Sequence, residues 1–238
     1  LRLWFRFAGG VATRVTADVE LADVQAEVRP GLPQLTLRHL MGRLQWQNDA
    51  GKRTVTGHDV SFTTQAGSVH APTDFAVSVT TGATDADTRG EATFTRVDLA
   101  PLAAVASQLP FPAAWREQLA AYAPYGAVND GSYAWQGATD APTHWNARGT
   151  LADVGVAQHD PWPGIDRLSG VFDVDDQKGG LVNLAMRNGS IDDLGVMSAV
   201  IRFERVDGQV RWRRDGEGAL RIDLKDVAFA NADAAGAI

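Results

Sequence analysis

The sequence predicts a mainly β protein: an elongated antiparallel sheet with one short helical pair inserted. Over most of the 238 residues apolar and polar side chains alternate, as in strands with one apolar and one hydrated face. Turn sequences such as Asn48-Asp49-Ala50-Gly51 separate these runs at short intervals. The stretch 97–126 departs from this pattern, because its apolar residues recur at three- and four-residue steps.

The N-terminal region, residues 1–96, is predicted to be a series of strands. It begins with alternation over residues 3–7. Farther along, the apolar residues occupy odd positions up to Leu21 and even positions from Val24. A period-two strand cannot change face without a bulge or a turn, so we expect one at Ala22-Asp23.

The helical stretch 97–126 is predicted to form two short helices. Asp98 is expected to be the N-cap of the first helix, and Pro110 and Pro112 separate the two. Such a pair either packs on the sheet as core or forms a lid above it. We expect its apolar stripe to be buried against the sheet. The stripe consists of Leu102, Leu109, Trp115 and Leu119.

The C-terminal region, residues 127–238, returns to the strand pattern and repeats part of the first region. Gly42 to Trp46 is followed by Asp59-Val60-Ser61-Phe62, and Gly208 to Trp212 is followed by Asp226-Val227-Ala228-Phe229. Repeated hairpins stack into elongated sheets, because one hairpin cannot bury its own apolar face. Any antiparallel protein can also contain similar hairpins by chance, so the spacing is compatible both with a true structural repeat and with chance similarity.

Composition bounds the possible functions. The net charge of −7 argues against a general nucleic-acid binder, which is normally basic. The chain contains no cysteine, so it has no disulfide framework and no thiolate metal site. No apolar run is long enough to span a membrane. Because the first residues already read as a strand and lack a Met, we expect a segment of a longer protein.

Catalytic and metal-binding groups form no recognisable pattern. The five histidines are scattered without a metal-spaced pair. Asp173, Asp175 and Asp176 lack the ligand spacing and terminal Glu of a calcium loop. No serine lies in a nucleophile elbow, no phosphate loop is present, and nothing singles out a carboxylate pair for glycoside hydrolysis. We therefore predict no enzymatic activity, no catalytic residue, no cofactor and no metal.

Several short motifs follow one another along nearly the whole chain. They are Leu40 to Trp46 (LMGRLQW), Asp98 to Leu102 (DLAPL), Leu109 to Leu119 (LPFPAAWREQL), Ala123 to Gly126 (APYG), Trp135 to Gly137 (WQG), Pro163 to Ile165 (PGI), Leu168 to Gly170 (LSG), Gly208 to Trp212 (GQVRW) and Ala230 to Asp233 (ANAD). In their order and spacing they resemble the middle region of the AsmA-like YhdP family of Gram-negative bacteria. Phe111 is a departure, since the family has leucine there.

The resemblance implies a bridge-like lipid-transfer protein. Such a protein is anchored in the inner membrane, and its periplasmic part is a long, curled β-sheet that carries phospholipid toward the outer membrane. This chain would be one continuous length of the bridge, in the periplasm, with its anchor in a segment outside it. Its implied partners are phospholipid acyl chains and, through other parts of the protein, the inner and outer membranes. Nucleic acid is not among them.

A lipid conduit needs a continuous apolar surface rather than a base, a nucleophile or a metal. If the sheet curls, its apolar face becomes a groove. The candidate lining residues are Leu44, Trp46, Val60, Phe62, Phe75, Val77, Val210, Trp212, Leu220, Ile222 and Leu224. The same alternation also builds the core of a β-sandwich. The alternative is therefore a non-catalytic β-sandwich module that binds a protein or a glycan.

Overall fold

A computed structural model of the chain describes residues 1–160, 162–192, 200–214 and 219–237. The strands are β1 (Arg2–Ala8), β2 (Val11–Ala26), β3 (Leu35–Asp49), β4 (Lys52–Thr64), β5 (Val69–Thr80), β6 (Arg89–Asp98), β7 (Tyr125–Ala138), β8 (Ala141–Val156), β9 (Gly164–Asp175), β10 (Gly179–Asp192), β11 (Ile201–Arg214), β12 (Leu220–Ala230) and β13 (Ala235–Ala237). The helices are α1 (Leu99–Val105) and α2 (Ala113–Tyr122), with short 3-10 turns at Asp85–Asp87 and Ala106–Gln108.

The thirteen strands that the structure describes all belong to one antiparallel sheet, in strict chain order from β1 to β13. The strands β6 and β7 pair directly although the helical pair lies between them in sequence, so the sheet is continuous across the insertion. The prediction of a mainly β, antiparallel sheet with an inserted helical pair is confirmed. The alternative of two packed sheets is wrong, since one sheet contains every described strand.

Aspartates with a left-handed backbone conformation let the long strands change the face on which their apolar residues lie, without ending the strand. β2 runs through the point where the apolar pattern moves from odd to even positions, and Asp23 at that point has a φ of 49°. The irregularity expected at Ala22-Asp23 is therefore one left-handed residue inside a continuous strand. Asp59, Asp130 and Asp153 have the same φ of 49°. Aspartate suits this role because its short polar side chain tolerates the left-handed region.

The internal repeat of the sequence corresponds to a shared backbone geometry. Gly42 has a φ of 134°, and a Cβ there would lie 2.8 Å from the Cα of Val60 on the next strand. Gly208 has a φ of 145°, and a Cβ there would lie 2.7 Å from the Cα of Val227. In both places a glycine lies against the residue that follows a left-handed aspartate. Both hairpins need this close approach of backbones, which only glycine permits.

The first helix begins after the predicted N-cap residue, Asp98, but that residue makes no side-chain capping hydrogen bond. Its carboxylate accepts instead from the backbone N–H of Ala71 on β5 at 2.7 Å and from the Arg96 guanidinium at 2.8 Å. Asp98 is thus the N-cap residue, as predicted, but a charged donor and a strand amide bind its carboxylate in place of the first-turn amides.

The burial of the helical pair also differs from the expectation. Pro101 and Val105 of α1 and the following Ala106 are buried, whereas α2 has no buried residue. The expected stripe of Leu102, Leu109, Trp115 and Leu119 is only half-buried. Small and β-branched side chains allow α1 to approach the strands closely, and the spacing of the larger leucines does not reveal this. Neither helix has the length and apolar content needed to cross a membrane within the described residues.

Candidate apolar binding face

One row of directly paired residues follows the sheet from β1 to β12. Cross-strand partners in an antiparallel sheet lie on the same face, so the register traces that face from strand to strand. Every member of this row is apolar or glycine, and we call the face that carries it the apolar face. The row is Phe5, Val15, Trp46, Val55, Val77, Ala92, Tyr133, Ala147, Val174, Gly180, Trp212 and Ile222.

The predicted lining residues all lie on the apolar face. Trp46, Val77, Trp212 and Ile222 belong to the continuous row, and Leu44, Phe75, Val210 and Leu224 lie one step along the same strands. Leu220 lies on β12 opposite Arg214. Val60 and Phe62 follow the left-handed Asp59, with Phe62 opposite Leu40. Whether these side chains contact lipid stays a prediction.

Exposure varies along this face. Val60 is buried at 9% exposure, and the other candidates on β3 to β5 are half-buried. Leu220, Ile222 and Leu224 are more than half exposed. The difference arises because β12 pairs with β11 over its whole length, whereas β13 covers only its last three residues. The apolar face is therefore open toward solvent at its β12 end, and it is equally open at its β1 end, where Phe5 is 56% exposed.

Aromatic rings on this face lie flat over glycines of adjacent strands. Phe75 covers Gly57, and Trp212 covers Gly180; a Cβ at either glycine would overlap the ring. Trp135 covers Gly90 in the same manner. Pairing an aromatic with a glycine across strands shields the exposed glycine backbone. At these pairs the surface of the apolar face consists of aromatic rings that lie close to the backbone of the sheet.

The central strands carry apolar residues that sequence reasoning did not select. They contribute Phe94, Tyr133, Trp135, Trp145, Phe172, Val174 and Val182 to the same face. The alternation of Tyr133 and Trp135 was a usable signal, since both residues recur at period two with Gly131.

The helical pair lies on the apolar face, above these central strands. Trp115 of α2 contacts Tyr133 edge-on, with ring centroids 5.1 Å apart. Tyr133 stacks on Trp135 at 5.4 Å and lies 6.1 Å from Trp145. Burial, and to a smaller extent the charge of Asp176, raise the pKa of Tyr133 to about 12. The ring therefore stays uncharged at neutral pH, and we call Tyr133, Trp135 and Trp145 the aromatic stack.

The opposite face is polar and charged. Its paired residues include Arg148 opposite Asp173 and Arg211 opposite Asp223. A recess of about 820 Å³ lies on this polar face between β6 and β11, with Glu91, Asp175 and Arg213 among its lining residues. This recess thus combines charged groups of both signs, although residues of the apolar row such as Tyr133 and Trp212 also border it.

Two histidine–carboxylate clusters also lie on the polar face. His58 Nδ1 lies 2.8 Å from Asp74, whose pKa is lowered by the backbone N–H of Asp59 and by His58. His144 Nδ1 is hydrogen-bonded to the Asp176 carboxylate, and a carboxylate oxygen of Asp175 lies 3.7 Å from His144 Nε2. Each cluster places three possible ligand atoms within 4.8 Å of one another. Sequence reasoning missed them because their members come from different strands. Without a further indication of a ligand they carry no metal assignment.

Fold and site together define a single-sheet β protein with one continuous apolar face and one charged face. The chain belongs to the YhdP protein family, whose family model matches residues 1–237. The match confirms the resemblance seen in the sequence motifs. Membership suggests a role related to lipid transfer at the level of the family. Comparison with curated proteins and with solved structures found no match.

Proposed function

We propose that this chain is a segment of a periplasmic lipid-transfer bridge whose apolar face carries the acyl chains of phospholipid between the inner and outer membranes. The observation that carries the proposal is the unbroken row of paired apolar residues from Phe5 on β1 to Ile222 on β12. Such a face binds and releases lipid without making or breaking a covalent bond, so no catalytic residue is assigned.

The free energy of lipid transfer favours a continuous surface. Exposing two acyl chains of about 16 carbons to water costs on the order of 25 kcal/mol, at about 0.8 kcal/mol per CH₂. With strands about 4.8 Å apart, a row crossing from β1 to β12 extends on the order of 50 Å. One leaflet of a bilayer core is only about 15 Å thick, half of the whole. An acyl chain can therefore shift along this row without leaving apolar surface.

A second candidate function is a module that binds a protein or a glycan. The observation that favours it is the charged recess on the polar face between β6 and β11. Such a module would use Glu91, Arg148 and Arg211 rather than the apolar face, so the two candidates depend on opposite faces of one sheet. Substitutions on the two faces of the same strand separate them.

Native mass spectrometry of the purified chain, incubated with phosphatidylethanolamine vesicles, tests the proposal. We expect phospholipid to remain bound to the parent chain. Ile222→Asp should remove it and leave the melting temperature near that of the parent, because Ile222 is 58% exposed and the added aspartate stays hydrated.

The matched control is Arg221→Asp, which introduces the same side chain on the polar face of the same strand. We expect this variant to retain lipid. A folded parent chain that never retains phospholipid contradicts the proposal. Equal loss of lipid from both variants would also contradict it, because the apolar face would then have no special role.

A further inference from the structure

The centre of the apolar face is covered by a side chain from the helical pair. Trp115 of α2 lies against Tyr133, and Phe111 lies 6.4 Å from Trp115 between ring centroids. Tyr133 belongs to the continuous row, with Ala92 and Ala147 as its cross-strand partners. Any extended apolar ligand that follows the row past β7 therefore meets the place occupied by Trp115.

The two helices are attached to the sheet to different degrees. α1 contributes buried Pro101 and Val105, and it contacts β4 through β7. α2 contributes no buried residue. The chain is fixed on both sides of α2: the backbone N–H of Thr36 donates to Gln108 Oε1 at 2.9 Å, and that of Ala157 donates to the Tyr122 carbonyl at 2.7 Å. The helix is thus held at its ends and weakly along its length.

A helix of this length has little stability of its own. α2 has ten residues, and isolated helices shorter than about 12 residues are marginal in water. Its position consequently depends on contacts such as the one between Trp115 and Tyr133. An apolar ligand that offered the aromatic stack equivalent contact would replace that contribution.

We propose that the aromatic stack of Tyr133, Trp135 and Trp145 is an acyl-chain site and that α2 is its displaceable cover, with Trp115 occupying the place of the acyl chain. This inference rests on the proposed function and adds a point of control to it. Lipid crosses from the β5 side to the β8 side of the face only when α2 moves aside. The open β12 end needs no such displacement.

A photocrosslinking experiment on the full 238-residue chain tests the cover. p-Benzoylphenylalanine is placed at position 145, inside the covered site, or at position 222, outside it. Each protein is irradiated with phosphatidylethanolamine vesicles, and the lipid adduct is quantified by mass spectrometry. Trp115→Ala should raise capture at position 145 by about two- to tenfold, the factor expected for losing one edge-on aromatic contact. Capture at position 222 should stay unchanged.

Two further variants separate a cover from a merely structural contact. Gln118→Ala changes an exposed residue of the same helix and should leave capture at both positions unchanged. Ala120→Gly with Ala121→Gly weakens the helix at exposed positions, leaves Trp115 in place, and should also raise capture at position 145. The glycine variant also serves as the test if Trp115→Ala does not fold.

The possible results bear on different statements. Increased capture confined to position 145 supports the cover. Unchanged capture at position 145, together with clear capture at position 222, overturns the cover and leaves the proposed function standing. Absence of capture at both positions in a folded protein overturns both.

Discussion

The two copies of the sequence repeat share their backbone geometry but differ in their surroundings. In the first copy, β3 and β4, Val60 follows a left-handed aspartate, lies against Gly42 and is 9% exposed. In the second copy, β11 and β12, Val227 occupies the same place against Gly208 but is only half-buried. Local sequence therefore determines the bulge, whereas burial depends on the neighbours of the hairpin.

The neighbours of the two hairpins explain the difference. β4 pairs with β3 and β5 over most of its length and is contacted by α1. β12 has β11 on one side and the three-residue β13 on the other. One copy is thus an interior part of the sheet, and the other lies near its edge. Matched substitutions in the two copies measure how much this setting contributes to stability.

The largest expected effect is that of a charge at the equivalent valines. Val60→Asp should lower the free energy of unfolding by about 3–5 kcal/mol, since an unpaired carboxylate at a buried site loses its hydration. Val227→Asp should cost about 1–2 kcal/mol, because part of that side chain stays hydrated. Urea denaturation of both variants checks the difference. Equal losses would show that the two settings are energetically the same.

The next effect concerns the glycines themselves. Gly42→Ala and Gly208→Ala should each cost about 1–3 kcal/mol, because both positions have positive φ and a Cβ at either would press on the facing strand. The larger loss is expected at Gly42, where β4 is held on both sides. Chemical denaturation of both proteins gives the measurement. Gly51→Ala is the control for backbone strain alone, because Gly51 also has a positive φ of 89° but a Cβ there would meet nothing within 4 Å. A neutral Gly208→Ala would refute a common strained geometry.

A smaller effect is expected from charges on the polar face of the second copy. Arg213 and Arg221 are directly opposite each other, and like charges in this arrangement are destabilising. Arg221→Glu should therefore raise the free energy of unfolding by about 0.2–1 kcal/mol. The matched change in the first copy, Thr54→Glu opposite the neutral Gln47, lacks an opposite charge across the strands. Thermal melts should show stabilisation for Arg221→Glu alone.

The smallest effect is a pH dependence that belongs to the second copy. The Arg205 guanidinium, and then that of Arg187, lower the pKa of the Asp207 carboxyl. A lowered folded-state pKa contributes stability above the unfolded value of about 3.9, and that stability is lost as the pH falls through the folded-state value. The parent should therefore lose stability when the pH is lowered from about 5 to about 3, and Asp207→Asn should reduce that loss. Identical acid sensitivity of variant and parent would contradict this.

The sequence predicted the features that depend on local spacing. Period-two alternation gave the strands, and the proline-separated helical pattern of 97–126 gave α1 and α2, which the structure places at 99–105 and 113–122. The irregularity at Asp23 could be predicted because the apolar residues of a regular strand stay at alternate positions, and here they move from odd to even positions. The resemblance of the motifs to the YhdP family is confirmed by the family match.

Features that depend on register or on competition between partners could not be predicted. His144 meets Asp175 and Asp176 only through the pairing of β8 with β9. Asp98 satisfies the spacing of a helix cap, yet Arg96 and the amide of Ala71 bind its carboxylate. The alternation of Tyr133 and Trp135 was visible, but it could not show that these residues share a face with those of β3 and β12. Each of these required knowledge of which strand lies beside which.

The strict chain order of the strands has a consequence for folding and for evolution. Each described strand pairs only with those before and after it, so stability is nearly a sum of nearest-neighbour terms, as in solenoid proteins. Folding can then start at any hairpin and spread outward, and insertion or deletion of one hairpin leaves the other registers intact. Each added hairpin would extend the sheet by about 10 Å. The reach of such a protein is therefore adjustable by gene duplication, without invention of a new topology.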